Sequence, residues 1–328
     1  MPKISIQNGP NFDGSSEQSF LDAAVAHGLL FPHSCKNGRC SSCRCRVVGG
    51  EYLVSSGQTG LTAQEKADGY VLGCVTKPLS DVELADVEVF AFALPATRVM
   101  PCRIVSISRF CESVIELEVR FPPNQRLEYI AGQYVDILFE NNKRSYSIAN
   151  FGHPDGNICF HIKNVEGGLF SDYIFNRAKE GDLLRIKGPY GTFFPRDVDG
   201  KHLVFLATGT GYGPVRAIIQ NLLQGSGEFK FKSISLFRGV RDSGELYLED
   251  EKLLRDINYV ATVSKPTELW SGETKYVQDL ALEHLENLDD MTVFACGSSA
   301  MIEGAMERFT RNGLKASEFY SDAFVSSD

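Results

Sequence analysis

The chain has 328 residues, and at ~150 residues per domain that length suggests two or three domains. Its 33 Lys and Arg against 42 Asp and Glu give a net charge of −9, the wrong balance for a nucleic-acid binder. Apolar residues at 43% suffice for a core, and no apolar run reaches the ~18 residues of a membrane span. The start, Met1-Pro2-Lys3-Ile4-Ser5, lacks the apolar stretch of a secretory signal, so a cytoplasmic protein is expected.

Nine cysteines is an odd number for a large chain without an export signal, which disfavours a disulfide framework. Cys35, Cys40, Cys43, Cys45 and Cys74 crowd into the first quarter, whereas Cys102, Cys111, Cys159 and Cys296 are scattered. Cys35, Cys40 and Cys43 are spaced C-x4-C-x2-C, and Cys74 follows after 30 intervening residues. This is the spacing of a plant-type [2Fe–2S] centre, in which four thiolates hold the iron. Such a loop must turn three sulfurs inward, and Gly38 with the small Ser41 and Ser42 suits it. A structural zinc site is the alternative, although zinc modules usually pair two C-x2-C elements. Cys45 is then a packed thiol. Lys36, Arg39, Arg44 and Arg46 either offset the cluster's charge, dock a partner, or form a solvated face.

Residues 1–94 form this first block, closed by an acidic stretch with Asp81, Glu83, Asp86 and Glu88. Residues 95–101, with a proline near each end, read as a linker. Residues 102–198 alternate apolar and polar positions over Val114 to Phe121 and Ile158 to Lys163, the period of half-buried strands. A helix is predicted from Leu169 to Lys179.

Residues 199–328 change character: an apolar run from Leu203 to Ala207 enters a glycine loop and a helical pattern from Pro214 to Leu223. Strands are predicted at Ser233 to Phe237, Tyr259 to Val263 and Thr292 to Ala295, with helical patterns between them. That alternation indicates a doubly wound parallel α/β sheet. In Thr208-Gly209-Thr210-Gly211-Tyr212-Gly213-Pro214 the glycines let a turn close under a pyrophosphate, with Pro214 suited to the first helical position.

Arg144-Ser145-Tyr146-Ser147 follows the strand-like Gly132-Gln133-Tyr134, and together with Gly167-Gly168-Leu169-Phe170-Ser171 and Gly188 to Phe193 it resembles the ferredoxin–NADP reductase superfamily. The resemblance covers essentially the whole chain. It implies a multidomain α+β and α/β protein: an N-terminal β-grasp ferredoxin domain, an antiparallel six-stranded FAD-binding β-barrel, and the parallel nucleotide-binding domain. Arg144 would pair with the flavin pyrophosphate, Tyr146 would lie against the isoalloxazine, and the Ser147 hydroxyl would reach N5, with Ser145 in the same segment. Lys163, Gly167, Gly168, Ser171 and Phe324 are implied as further cofactor contacts.

For the nicotinamide, the resemblance assigns Thr208 to Gly211, Gly213 and Pro214 to the pyrophosphate, and Cys296-Gly297 to the site of hydride transfer. Thr208 and Gly213 depart from the family's usual Gly and Ala, and Arg238 stands where the family usually has an aromatic. Ser264-Lys265 and Tyr276 occupy positions that NADPH-using relatives give to the 2′-phosphate, so both NADH and NADPH are expected to be accepted. Ser147 and Cys296 are the expected catalytic residues.

The implied route is NAD(P)H to FAD to [2Fe–2S] to a protein acceptor, met by a monomer in a transient complex, with neither nucleic acid nor membrane as partner. A nicotinamide gives two electrons as hydride and a [2Fe–2S] cluster takes one, so the flavin must stand between them. Pro101-Cys102, Arg144 to Asn150, Gly191 to Phe194 and Phe319 to Phe324 resemble the reductases of CDP-6-deoxy-sugar 3-dehydrases. Gly38-Arg39-Cys40, Arg44 to Val47 and Gly239-Val240-Arg241 are more similar to reductases of ring-hydroxylating oxygenases. The sugar pathway is the favoured expectation and the oxygenase component the alternative; a non-enzymatic iron–sulfur sensor would require vestigial flavin and nicotinamide motifs.

Overall fold

In the N-terminal strand Lys3–Ile6 alternate side chains turn inward, burying Ile4 and Ile6. In this computed structural model, which describes residues 1–225, 229–247 and 251–324, that strand pairs antiparallel with Asn11–Asp13 and parallel with Val82–Ala85. Arg44–Gly49 and Tyr70–Leu72 complete a five-stranded sheet. A parallel pairing of first and last strands needs a crossover, and the helix Phe20–Ala26 lies within it. The Ser19 hydroxyl caps that helix by accepting from the Asp22 N–H at 3.0 Å. Phe20, Leu21, Ala23 and Ala24 pack into a core with Ile4, Phe31, Leu72 and Leu84. Each large apolar side chain so buried contributes roughly 1.5–3 kcal/mol. Residues 1–95 pack as one unit, and the chain from Ala96 onward forms a second.

The second unit opens with six antiparallel strands in the order Asn142–Ser147, Tyr134–Phe139, Leu183–Tyr190, Arg98–Arg109, Val114–Arg120, Ile158–Lys163. A bridge between Ile148 and Phe160 joins the two edges and closes the sheet into a barrel. Its interior is filled by Ile104, Leu117, Val119, Val135, Ile137 and Ile186. Strand structure begins at Arg98, inside the stretch expected to be a linker. There Arg98 to Cys102 pair with Leu184 to Gly188, while pairing to Val114–Arg120 starts only at Arg103. Pro101 thus sits where the strand is paired on one side, a position that tolerates a missing N–H.

Five parallel strands follow, ordered Asn258–Val263, Ser233–Val240, His202–Thr208, Met291–Ser298, Phe319–Phe324. Both faces are covered, which is why the central strands read as continuous apolar runs. The helix Tyr212–Gln224 buries Val215, Ile218 and Leu222 on one face, and Ser299–Arg311 buries Ile302, Ala305 and Phe309 on the other. Val114, Ala131 and Phe193 of the barrel belong to the first of these cores, so barrel and sheet share one interior.

Two helices differ from expectation. The first ends at Asn176 rather than Lys179, because Arg177 leaves helical angles and its N–H and that of Ala178 both turn to the Tyr173 carbonyl. The second begins at Tyr212 after a 3-10 turn over Gly209–Gly211, which places Pro214 third. Within the first turn its missing N–H still costs no helical bond.

Candidate functional site

Cys35, Cys40 and Cys43 lie on the loop before Arg44–Gly49, and Cys74 follows Tyr70–Leu72. Gly38 adopts φ +77°, and a Cβ there would lie 2.3 Å from the Gly57 carbonyl oxygen. No larger residue fits. The loop turns N–H groups toward sulfur: Cys40 N lies 3.4 Å from Cys35 Sγ, and the Asn37 and Arg39 N–H groups also donate to it. Gly38 does the same for Cys74.

Among the described residues no three potential ligands converge on a point suited to one ion. Instead the thiols associate as two pairs, Cys35 with Cys40 and Cys43 with Cys74. A two-iron cluster needs two sulfurs per iron, whereas a lone zinc needs all four at one centre. Within each pair the hydrogen bond lowers one thiol and raises the other: Cys35 and Cys74 fall below the ordinary thiol range, and Cys40 and Cys43, which donate to them, are pushed above it. The N–H groups aimed at Cys35 and Cys74 favour the thiolate form that an iron ligand takes. Cys45 packs in the core, its thiol 3.9 Å from the Val71 carbonyl, and burial pushes its pKa up. Lys36, Arg44 and Arg46 are ion-paired with Asp22, Glu65 and Asp86 within the same unit.

The predicted flavin residues lie on the barrel's edge strand. Tyr146 packs its ring against Phe170 and Phe160, with centroids 5.5 and 6.5 Å away. Half-buried Arg144 gives one hydrogen bond to the Lys143 carbonyl at 2.9 Å, and its planar five-donor guanidinium is a group suited to an anion. Ser145 donates to Asp136 at 2.7 Å. Gly167 takes φ +73° and Gly168 caps the helix Leu169–Asn176. That helix start is the feature that suits a phosphate. Two expected contacts also have partners within the chain. The Ser171 hydroxyl donates within its own loop to Gly168 and Val165 carbonyls, and Lys163 pairs with Glu245 at 3.0 Å.

On the sheet, the loops after His202–Thr208 and Met291–Ser298 depart to opposite faces, which makes their carboxyl ends a topological switch point. Thr208 and Gly211, at the two ends of the loop, press directly on Cys296 and Gly297. A Cβ on Gly211 would lie 2.4 Å from the Cys296 carbonyl oxygen, and one on Gly297, at φ +151°, would lie 2.0 Å from Thr208 Oγ1. Gly213 departs from the family pattern because its helix turn rests on the barrel: a Cβ there would meet Ala149 at 3.1 Å and His161 at 3.3 Å. Ser264 and Lys265 end the edge strand, their N–H groups bonded to Val240 and Arg241 carbonyls, and Tyr276 is exposed nearby in sequence. This second cluster lies three strands from Cys296.

Sequence reading missed Asp322. Buried on the last strand, it pairs across with Cys296, and its carboxylate accepts from the Ser147 hydroxyl at 3.5 Å. Burial first, then the charge of Asp322, raise the Cys296 thiol well above its ordinary pKa and keep it protonated. Ser147, Asp322 and Cys296 thus form one constellation where barrel meets sheet, with the exposed Phe324 two residues further along the strand. Its one signal in the sequence was an acid within the apolar segment Phe319 to Phe324.

Residues 6–79 match the 2Fe-2S iron-sulfur cluster binding domain, 101–194 the oxidoreductase FAD-binding domain and 205–307 the oxidoreductase NAD-binding domain. The chain belongs to the iron–sulfur flavoprotein reductases of the ferredoxin reductase type, NAD(P)H-dependent oxidoreductases with FAD and [2Fe–2S] as cofactors. It is 37% identical to the CDP-6-deoxy-L-threo-D-glycero-4-hexulose-3-dehydrase reductase of Yersinia pestis, covering 98% of this chain and 97% of that protein. With the phenol hydroxylase P5 protein of Acinetobacter pittii it shares 30% identity over 97% of this chain and 92% of the other. The cytochrome P450 reductase GcoB of Amycolatopsis has the same fold, with a TM-score of 0.78 at 23% identity and full coverage of both chains.

Proposed function

We propose that this reductase delivers electrons to a CDP-6-deoxy-4-hexulose 3-dehydrase. The observation carrying this is the 37% identity over nearly all of both chains to the reductase of such a dehydrase, against 30% for the phenol hydroxylase component. When bound, FAD accepts a hydride and the cluster passes on electrons singly. The chain's residues supply the setting. Arg144 and the Leu169–Asn176 helix start would hold the flavin's phosphates, and Tyr146 would bear on its ring. Thr208 to Gly211 would receive the dinucleotide pyrophosphate, and protonated Cys296 would border the nicotinamide. The Ser147 hydroxyl, turning from Asp322, would donate its proton at the flavin's reactive edge. Cys35, Cys40, Cys43 and Cys74 would ligate the iron.

The test mixes the purified reductase with such a dehydrase, its CDP-sugar and NADH. NADH oxidation that requires both dehydrase and sugar is the expected result; none above the reductase alone refutes the acceptor. The phenol hydroxylase similarity favours an oxygenase component as second reading, and the same assay with oxygenase and aromatic substrate discriminates the two.

A further inference from the structure

Arg238, which the family resemblance left unaccounted for, is one of the most deeply buried cations in the protein, with 1% of its surface exposed. It stands near the carboxyl end of Ser233–Val240, and its guanidinium lies against two aromatic rings that meet edge to face. Cζ is 4.0 Å from the Tyr212 ring centroid and 4.7 Å from that of Tyr247. One amino group also donates to the Glu245 carbonyl at 3.3 Å. An aromatic side chain at 238 would carry no buried charge to desolvate, so the arginine imposes a cost that its neighbours must offset.

Those neighbours connect the two halves of the hydride path. Tyr212 is the first residue of the helix after the glycine loop. The Tyr247 hydroxyl lies 3.2 Å from His161 Nδ1 on the barrel, and Phe110 of the barrel stacks on the Tyr247 ring at 5.0 Å and 13°. The Glu245 carboxylate accepts from Ser113 at 3.1 Å and Lys163 at 3.0 Å, both barrel residues. One cation therefore touches both the start of the nucleotide-loop helix and the segment that grips the barrel.

We propose that Arg238 is a positioning residue for hydride transfer: seated in the corner formed by the Tyr212 and Tyr247 rings, it fixes the glycine-loop helix relative to the flavin barrel. The proposal rests on the reading that NAD(P)H reduces a flavin held by that barrel.

The test is anaerobic stopped-flow reduction of the flavin-loaded, cluster-containing protein by NADH, comparing the unaltered chain with Arg238→Met and Arg238→Lys. Arg238→Met is expected to lower the limiting rate of flavin reduction tenfold or more and weaken the long-wavelength absorbance of the nicotinamide–flavin complex. Its Kd for NADH should change less than threefold, and Arg238→Lys should recover part of the rate. In the flavin-free chain, the amide hydrogens of Tyr212, Gly213 and Val215 should exchange faster in Arg238→Met. An unchanged limiting rate and absorbance band, even with a lower Tm, overturns the proposal. Tyr247→Phe, which keeps the ring over Arg238 but drops the link to His161, serves if Arg238→Met does not fold. It should slow the limiting rate about threefold, and an unaltered rate refutes the clamp equally. Failure of the unaltered protein's flavin to be reduced by either coenzyme would refute the underlying reading instead.

Discussion

Gly211→Ala probes the seam where the nucleotide loop meets the Cys296 strand. The added methyl would sit 2.4 Å from the Cys296 carbonyl oxygen, 2.7 Å from its carbonyl carbon and 3.0 Å from the Gly297 nitrogen, all backbone atoms. Ordinary contact begins near 3.4 Å, so loop or strand must give way by about 1 Å. Overpacking of this kind costs ~1–3 kcal/mol. At roughly 2–4 °C per kcal/mol for a unit of this size, Tm should fall by about 2–12 °C. The chemistry should suffer more, because a misplacement of ~1 Å can cost ~100-fold when two reactants must be held in line. Stopped-flow flavin reduction at saturating NADH reads the rate, and flavin content checks that the barrel is intact. Gly304→Ala is the matched control. It lies within the helix Ser299–Arg311, and its methyl would meet only the ends of Arg308 and Gln278, at 3.3 and 3.4 Å. That change should raise stability by ~0.4–1 kcal/mol and leave the rate alone. A Gly211→Ala protein with unaltered Tm and rate would refute the reasoning.

Cys40→Ser should abolish the cluster's visible absorption while NADH still reduces the flavin, followed with a dye that takes electrons from it directly, since the cysteines lie in a separately packed unit. Loss of flavin reduction in a well-folded variant would contradict the order of centres. Ser147→Ala should slow flavin reduction roughly 10–100-fold, the worth of a hydrogen bond to a charged group, with FAD retained; an unchanged stopped-flow rate would return Ser147 to a packing role. Lys265→Ala should weaken NADPH binding roughly tenfold and NADH little, because a lysine meets phosphate as a point charge. Equal losses by titration calorimetry would show that Lys265 does not read the 2′-phosphate.

What could be read from the sequence was what local chemistry dictates. Three of the four thiols and Gly38 fall on one tight loop, so the cysteine spacing carries most of the message locally and only Cys74 comes from further on. The strand, glycine loop and helix of the nucleotide half are likewise one continuous segment. What escaped depends on partners far along the chain. Asp322 gains meaning only through Ser147, 175 positions away. Lys163, expected at the cofactor by resemblance, pairs with Glu245, 82 positions on. Gly213 looked like an unexplained departure until Ala149 and His161 were found against it. Pro101 marked a linker by composition, yet one-sided pairing lets it stand inside a strand.

The distribution of cores follows from the two kinds of transfer. Hydride moves between atoms in contact and demands a fixed approach, so nucleotide sheet and flavin barrel must be held as one body. Val114, Ala131 and Phe193 answer that demand by entering the sheet's own core, and Gly213 by letting a helix turn rest on the barrel. Single electrons make no bond to the protein that receives them, so the cluster needs no shared interior with the hydride site. The core around Ile4, Phe20 and Leu84 is accordingly drawn from its own unit alone. An acceptor that meets the cluster unit could then change without disturbing hydride transfer, which accords with this chain aligning over more than nine-tenths of relatives named for a sugar dehydrase and for a phenol hydroxylase.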